Sequence, residues 1–421
     1  MSAECSAETI PPGYKQTEVG VIPEDWKITT LGEVVSKLVH GGTPSTKYED
    51  YWKGDIPWIT GADILDQQVS EIRRFITKNA VKNSSTNVVN KGTLLLVSRT
   101  GVGKLAIAPC DIAISQDLTG IYTKSENLNT EYLFRFLDKN QALLKNQNQG
   151  TSILGITRET LSSIIIFFPP TLAEQESIAQ ALSDADALIE SLEQLIAKKR
   201  QIKQGAMQEL LRPKDNWEPT SLGNIADPNQ RWSFTGGPFG SNLKSSDYTN
   251  DGIRIIQLQN IGDGEFKNDY EVYTSIEKAD ELLSCNIYPG EIILSKMGDP
   301  VARACLIPPY KKRYLMCSDG IRLAVDQKRF NTYFVYTLIN ASDFRMKAEN
   351  ASTGSTRKRI GLTELRNLEL LCPPLSEQNN IATILSDMNS EITALEEKLA
   401  KARQIKQGMM QELLTGRIRL I

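Results

Sequence analysis

The chain has 421 residues, of which 40% are hydrophobic and 24% charged, and its formal net charge is −3 at pH 7. This length and hydrophobic content allow more than two ordinary domains and exclude a largely disordered chain. No apolar run approaches the roughly 20 residues of a membrane span, and the N-terminus lacks a signal-peptide pattern, so we expect a cytoplasmic protein without membrane contact.

In chain order, the sequence predicts an N-terminal arm (1–20), a globular domain (21–168), a long helix (169–213), a second globular domain (214–372), a second long helix (373–415) and a short tail (416–421). Short Val/Ile/Leu-rich runs bounded by Gly, Pro and Asn predict strands in both domains, with a few helices such as 128–146. We therefore expect an α/β protein built as an internal repeat.

The repeat is clearest in the two predicted long helices. Residues 174–211 recur at 377–414 with an offset of 203 and 23 identities in 38 positions. In both copies apolar residues step by four and three, as at Ile178, Leu182 and Ala185, which predicts a heptad seam buried against another helix. Pseudo-two-fold symmetry predicts that the two helices run antiparallel.

Motifs for catalysis are missing from the sequence. GVGK at 101–104 lacks the first glycine and the Ser or Thr of a phosphate-binding loop. The six cysteines form no CxxC pair and the single histidine is His40, so zinc would lack suitably spaced ligands. We expect reduced thiols, a loop position for His40 and no catalytic residue.

Three segments carry a family resemblance that spans nearly the whole chain. The N-terminal YKQTEVGVIPEDWKITTLGEV, the loop GGTPSTKYEDYWKGDIPWIT (41–60) and the doubled PP…EQ…IA…LSD…RQIKQ pattern resemble the specificity subunit of type I restriction-modification systems. The resemblance implies two target-recognition domains that read a split double-stranded DNA sequence, with the two helices as spacers between them.

The same resemblance implies partners and cofactors. Two copies of a modification (methyltransferase) subunit would dock on the helices, and restriction subunits would add ATP-driven translocation and DNA cleavage. S-adenosylmethionine, ATP and Mg²⁺ would belong to those partners, and this chain would hold no cofactor.

DNA affinity rests largely on phosphate neutralisation, so a net charge of −3 requires local basic groups or help from partners. Basic side chains beside glycines, and Gln or Asn that can bond base edges, are the candidates. The predicted DNA contacts are Thr43, Ser45, Lys47, Arg99, Lys104, Gln116, Thr151, Ser152, Lys244, Gln257, Gln259, Asn260, Lys296, Thr356, Arg357 and Lys358.

Matched glycines interrupt both long helices, where glycine costs on the order of 1 kcal/mol relative to alanine. Close approach of a partner helix would explain them, and a simple helix break before QELL is the alternative. The predicted partner-docking residues are Arg200, Lys203, Gly205 and Met207, with their counterparts Arg403, Lys406, Gly408 and Met410.

Two other functions stay open on the sequence: a self-contained methyltransferase or nuclease with divergent motifs, and a coiled-coil scaffold without a DNA role. The first predicts methyl transfer or S-adenosylmethionine binding by the isolated chain. The second predicts that the chain confers no sequence selectivity on a partner.

Overall fold

A computed structural model describes residues 10–146, 155–354 and 357–421. The chain forms two compact units, Met1–Glu193 with Glu397–Ile421 and Gln194–Glu396. The two long helices, Leu172–Leu210 and Leu375–Leu413, each contribute to both units. The predicted α/β class with two long helices is therefore confirmed, although the compact units divide within the helices. In the described part of the chain, no helix is long and apolar enough to cross a membrane.

The first unit contains two four-stranded sheets. One is antiparallel, in the order Leu105–Ile107, Leu94–Val97, Leu118–Thr123, Val35–His40. The other runs Phe75–Ile76, Ile56–Ile59, Ile112–Ile114, Asn87–Val89, with its middle pair parallel. Two-stranded pairs join Tyr14–Thr17 to Gly20–Pro23, Lys27–Thr30 to Ile165–Phe168, and Ile64–Leu65 to Gln68–Val69. The helices are Leu31–Val34, Glu49–Trp52, Gly61–Asp63, Lys78–Lys82, Thr130–Lys139, Gln141–Asn146 and Arg158–Ser162.

The second unit repeats this plan. Its antiparallel sheet has the order Phe234–Gly236, Gly320–Leu323, Ile292–Ser295, Ala304–Leu306. Its five-stranded sheet runs Tyr248–Thr249, Val272–Thr274, Ile253–Ile256, Tyr314–Met316, Asn286–Ile287, and Glu218–Ser221 pairs with Glu369–Cys372. The helices are Leu222–Ile225, Ser245–Asp247, Leu258–Asn260, Ile276–Glu281, Leu283–Cys285, Thr332–Ile339, Ser342–Asn350 and Leu362–Arg366.

The structure differs in detail from the helix expected over 128–146 and shows the conformation of segment 101–104. The single helix expected over 128–146 is two, because the first ends at Lys139 and Asn140 caps it. Segment 101–104 is a hairpin turn between strands Leu94–Val97 and Leu105–Ile107, with Gly101 and Gly103 at positive φ. A phosphate-binding loop would lead from a strand into a helix, and this turn does not.

A buried glutamine joins each long helix to its domain. Gln175 accepts a hydrogen bond from Asn129 N (2.8 Å) and donates to Pro169 O (2.9 Å). Gln378 makes the matching bonds to Asn331 N (2.9 Å) and Pro373 O (2.8 Å). Both are almost fully buried. We call this arrangement the glutamine clamp.

Pairing along the long helices is antiparallel within each unit. In the first unit Glu193 pairs with Arg403, and Asp186, earlier in the first helix, pairs with Lys406, later in the second helix. The two helices therefore run in opposite directions. In the second unit Arg200–Glu396 and Lys203–Asn389 are the equivalents. The predicted seam is buried or half-buried throughout, including Ile178, Leu182, Ile381 and Leu385, as heptad packing requires.

The C-terminal tail binds the start of the chain within the first unit. Tyr14 OH donates to Gly416 O (3.0 Å), and Arg419 forms two 2.9 Å bonds to the carboxylate of Asp25. Arg419 also reaches the buried carboxylate of Glu174 (2.8 Å). Gly416 lies at φ +72 with Pro23 against it, where a Cβ would come within 2.5 Å. We call these five residues, Tyr14, Asp25, Glu174, Gly416 and Arg419, the tail clasp.

Candidate nucleic-acid interface

Two loops of the first unit are held together at the ends of their strands. One follows Val35–His40 and the other follows Ile112–Ile114. Gly41 permits the contact, because a Cβ there would lie 2.1 Å from Ile114 O. Thr43 Oγ1 donates to Gln116 Oε1, and both side chains are exposed. Two predicted DNA contacts, distant in sequence, therefore share one surface.

A cleft of ≈560 Å³ opens beside these loops. We call it the His40 cleft; it is lined by His40, Gly41, Ser98, Arg99, Gln116 and the segment 155–158. Arg99 bridges to Gly155 in the backbone, which brings Arg158 to the same cleft. The sequence reasoning missed Arg158, although it lies close after the predicted Thr151 and Ser152. Those two residues lie outside the described part of the chain.

His40 forms the edge of this cleft. Its Nδ1 is 3.0 Å from Thr119 Oγ1. Partial burial and the charges of Arg158 and Arg99 lower the pKa of His40 below its usual value. His40 is the last residue of a strand, where a loop position was expected.

Three other predicted DNA contacts of the first unit differ in whether their side chains are free to reach DNA. Ser45 and Lys47 are exposed on the loop after Thr43. Lys104 instead donates from Nζ to Ile64 O (3.2 Å), so its ammonium helps to hold the Ile64–Leu65 hairpin.

The second unit builds the corresponding loop with other side chains. Gly237 is required there, because a Cβ would lie 1.7 Å from Cys317 O. The loop then presents Phe239, which is 83% exposed. Sequence reasoning missed Phe239, although glycines flank it in GGPFG and signal a loop tip. Lys244 is exposed further along the same loop.

The amide residues at 257–260 require a correction. Asn260 is fully buried, accepts from Gln257 N (2.9 Å) and donates to Lys267 O and Tyr270 O (both 2.9 Å). Its predicted role in base contact is therefore wrong, because its side chain holds the turn together. Gln257 is half-buried and donates to Tyr248 OH (3.0 Å), whereas Gln259 is exposed.

A basic cleft of ≈430 Å³ occupies the second unit. Arg303, Arg357 and Lys358 line it together with Asp299 and Glu349. Arg357 is exposed and has no side-chain partner among the described residues, whereas Lys358 forms an ion pair with Glu349. Lys296 is half-buried, and its carbonyl accepts from Ile360 N (3.0 Å). Thr356 lies outside the described residues.

The predicted docking residues already make contacts within each unit. Arg200, Lys203, Arg403 and Lys406 bond acidic or amide groups of the facing helix. Met207 and Met410 pack against the unit cores. The two methionines are thus accounted for without a partner. A Cβ added at Gly205 or Gly408 would meet nothing within 4 Å, so both helix surfaces are open there.

Cysteine and metal chemistry are limited in the described residues. The five described cysteines are unpaired, and burial raises the pKa of Cys317 to about 11 and that of Cys372 to about 12. The thiols of Cys317 and Cys372 are therefore protonated core residues at neutral pH; Cys5 lies outside the described part. Within 10–146, 155–354 and 357–421, no group of three His, Cys, Asp or Glu is placed to hold a metal ion.

Comparison with known proteins gives one consistent result. Residues 23–202 and 214–406 match the family described as the type I restriction modification DNA specificity domain. The MjaIX specificity subunit of Methanocaldococcus jannaschii is 26% identical, covering 97% of this chain and 96% of that protein. The EcoR124I/EcoR124II specificity subunit of Escherichia coli is 28% identical over 45% of this chain and 46% of its own length. A crystal structure of the S subunit of a type I system from M. genitalium shares the fold, with a TM-score of 0.58, 15% identity and coverage of 92% and 96%.

Proposed function

Because the chain belongs to the family of type I restriction-modification DNA specificity domains, we propose that it selects the DNA sequence on which a restriction-modification complex acts. The supporting observation is that one scaffold is built twice with different side chains at the same loops. Thr43 and Gln116 occupy the loops of the first unit, and Phe239 and Ser318 those of the second; Ser318 comes two residues after strand Tyr314–Met316, as Gln116 does after Ile112–Ile114. Different side chains at equivalent positions suit two different half-sites.

In this proposal, domain 21–168 reads one half of a bipartite double-stranded DNA target and domain 214–372 reads the other. The long helices set the spacing between the half-sites. The exposed cations of each domain, such as Arg99 and Arg357, contact phosphates locally despite the net negative charge of the chain. We assign no catalytic step to this chain.

The relatives are named as specificity subunits of type I restriction enzymes, and we infer that this chain also assembles with other subunits of such a system. Two copies of a modification subunit would dock at the matched helix surfaces around Gly205 and Gly408, and restriction subunits would join them. Those partners would carry S-adenosylmethionine, ATP and Mg²⁺. We propose that the complex acts in the cytoplasm, where it would meet its DNA target.

Exchange of one domain tests the division of recognition. Residues 214–372 are replaced by the corresponding domain of a relative, and the complete system is expressed in cells. Sequencing of methylated sites should show that one half of the motif changes and the other half is retained. A change in both halves would contradict two independent readers. Failure of the complete wild-type system to methylate any defined motif would contradict the DNA-reading function itself.

The matched control is exchange of residues 21–168 alone, which should change the opposite half of the motif. Both exchanges keep Gln175, Gln378 and the long helices of this chain. A self-contained enzyme would instead transfer methyl groups without partner subunits. A scaffold would leave the methylated motif unchanged in both exchanges.

A further inference from the structure

The only histidine of the chain lies where the first unit presents its cations. His40 ends strand Val35–His40, Arg99 follows strand Leu94–Val97, and Arg158 begins the short helix Arg158–Ser162. Three separate segments thus bring their side chains to one cleft. The chain has no second histidine, so the basic cleft of the second unit has no equivalent group.

Hydrogen bonding orients the imidazole. Nδ1 faces Thr119 Oγ1 at 3.0 Å, Thr119 Oγ1 lies 2.9 Å from Ser98 Oγ, and Ser98 Oγ lies 3.4 Å from Asp117 O. A carbonyl can only accept, so a consistent direction has Ser98 donating to Asp117, Thr119 to Ser98, and Nδ1–H to Thr119. We assign this tautomer from the network. It leaves Nε2 with a free lone pair, and no described residue bonds that atom.

The charges around the ring favour the neutral form in the free protein. Arg99 faces it from the loop after strand Leu94–Val97, and Arg158 and Glu159 face it from the short helix. Thr119 on the adjacent strand and Gln116 are neutral, and Asp117, which follows Gln116, takes part in the network through its main-chain carbonyl. Partial burial has the largest effect on the pKa of His40, followed by Arg158 and Arg99, and all three lower it, whereas Glu159 raises it.

We propose that the His40 cleft binds one backbone phosphate of the target DNA and that His40 takes up a proton in doing so. The two arginines donate to the non-bridging oxygens, and the protonated Nε2–H supplies a third donor. A bound phosphate reverses the electrostatic balance, because its negative charge offsets both guanidinium groups and favours the imidazolium. The proton comes from solvent and returns to it when DNA leaves. This proposal rests on the DNA-reading function proposed above.

The pH dependence of DNA binding tests the proton uptake. Affinity of the full chain, assembled with its modification subunits, for a target duplex is measured between pH 6 and pH 8 at constant salt. One linked proton strengthens binding by up to about tenfold per pH unit as the pH falls, between the pKa values of the free and bound states. His40→Asn keeps an N–H near Thr119 but cannot titrate, so its pH dependence should be flatter. Equal slopes for the wild type and H40N would overturn the proposal.

Direct measurement of the pKa of His40 in the wild-type chain tests the proposal even if H40N fails to fold. With a single histidine, a tag-free, histidine-labelled chain gives the signals of one imidazole ring, which can be titrated with and without DNA. The pKa of His40 should be higher in the complex, and an unchanged or lower value would overturn the proposal. Arg357→Ala is the matched control in the second unit: it should weaken binding without altering the pH slope. Absence of target-selective binding at every pH would instead overturn the DNA-reading function.

Discussion

In both units the same position of the long-helix pair is occupied, but by charged side chains in the first unit and by fewer charged side chains in the second. In the first unit, Asp186 lies between Lys406 (2.5 Å) and Arg135, which is only 6% exposed. In the second unit, the corresponding residues are Asn389, Lys203 and Thr337. Lys203 bonds the amide of Asn389 at 2.6 Å, and Thr337 bonds its own helix through Tyr333 O.

This difference indicates that the buried arginine and its carboxylate partner are present together in one unit and absent together in the other. Removal of a buried partner leaves an uncompensated ion, which costs more than the pair contributes, whereas replacement of both partners can be nearly neutral. The second unit has lost the carboxylate and the guanidinium together. The lysine remains in both units, because Asn389 and Asp186 can each accept its hydrogen bond.

The largest expected effect concerns the ion pairs that hold the start of each long helix, at Glu174 in the first unit and Glu377 in the second. Arg419→Ala breaks the tail clasp and leaves Glu174, which is 4% exposed, without its cation. We expect a loss of about 2–3 kcal/mol in the first unit, discounted for the exposure of Asp25. Lys214→Ala removes the equivalent ion pair to Glu377 in the second unit, where the chain itself is continuous. That exposed pair should contribute less than about 1 kcal/mol.

Hydrogen exchange of the two variants would separate these losses unit by unit. Equal losses in the two units would show that the ion pair matters no more in the unit made of two chain segments than in the unit made of one. The hydrogen bonds from Arg419 hold the pKa of Asp25 below its usual value. Its contribution to stability is therefore complete at neutral pH and is lost as the pH falls through that lowered pKa.

The next effect tests the charged contact directly. Asp186→Asn removes the ion-pair partner of the buried Arg135 and should destabilise the first unit by about 2 kcal/mol. Addition of Arg135→Thr, which copies the second unit, should recover part of that loss, and a thermal-unfolding double-mutant cycle measures it. The matched change Asn389→Asp should alter the second unit by less than about 1 kcal/mol. A cost for N389D as large as that for D186N would refute the paired-charge explanation.

The smallest expected effect concerns the two helix glycines, Gly205 and Gly408, where an added Cβ would meet nothing within 4 Å. Gly205→Ala and Gly408→Ala should each stabilise the chain by about 0.5–1 kcal/mol, because alanine fits the open space and favours the helix. If these surfaces receive modification subunits, the same variants should weaken assembly, measured by native mass spectrometry with titrated partner. Stabilisation with undiminished assembly would remove both glycines from the proposed docking surface.

The sequence predicted the long helices and their antiparallel pairing because a heptad seam and an internal repeat are local, periodic signals. The His40 cleft could not be predicted in the same way, since His40, Arg99 and Arg158 are brought together only by strand pairing. Asn260 was assigned wrongly because an amide that reads a base and an amide that closes a turn look identical in sequence. Phe239 was overlooked although GGPFG signals a loop tip, because exposure of the aromatic side chain at that tip cannot be read from residue type.

The glutamine clamp has a consequence for how such a protein changes over evolutionary time. Gln175 and Gln378 bond only main-chain atoms: Asn129 N and Asn331 N of the domains, and Pro169 O and Pro373 O at the start of the helix segments. At this clamp, a recombination event that imports a whole domain therefore needs to supply only the same backbone turn, whereas the Arg135–Asp186 pair still has to be matched. New specificities can arise by exchange of gene segments without prior adjustment of the clamp that receives them.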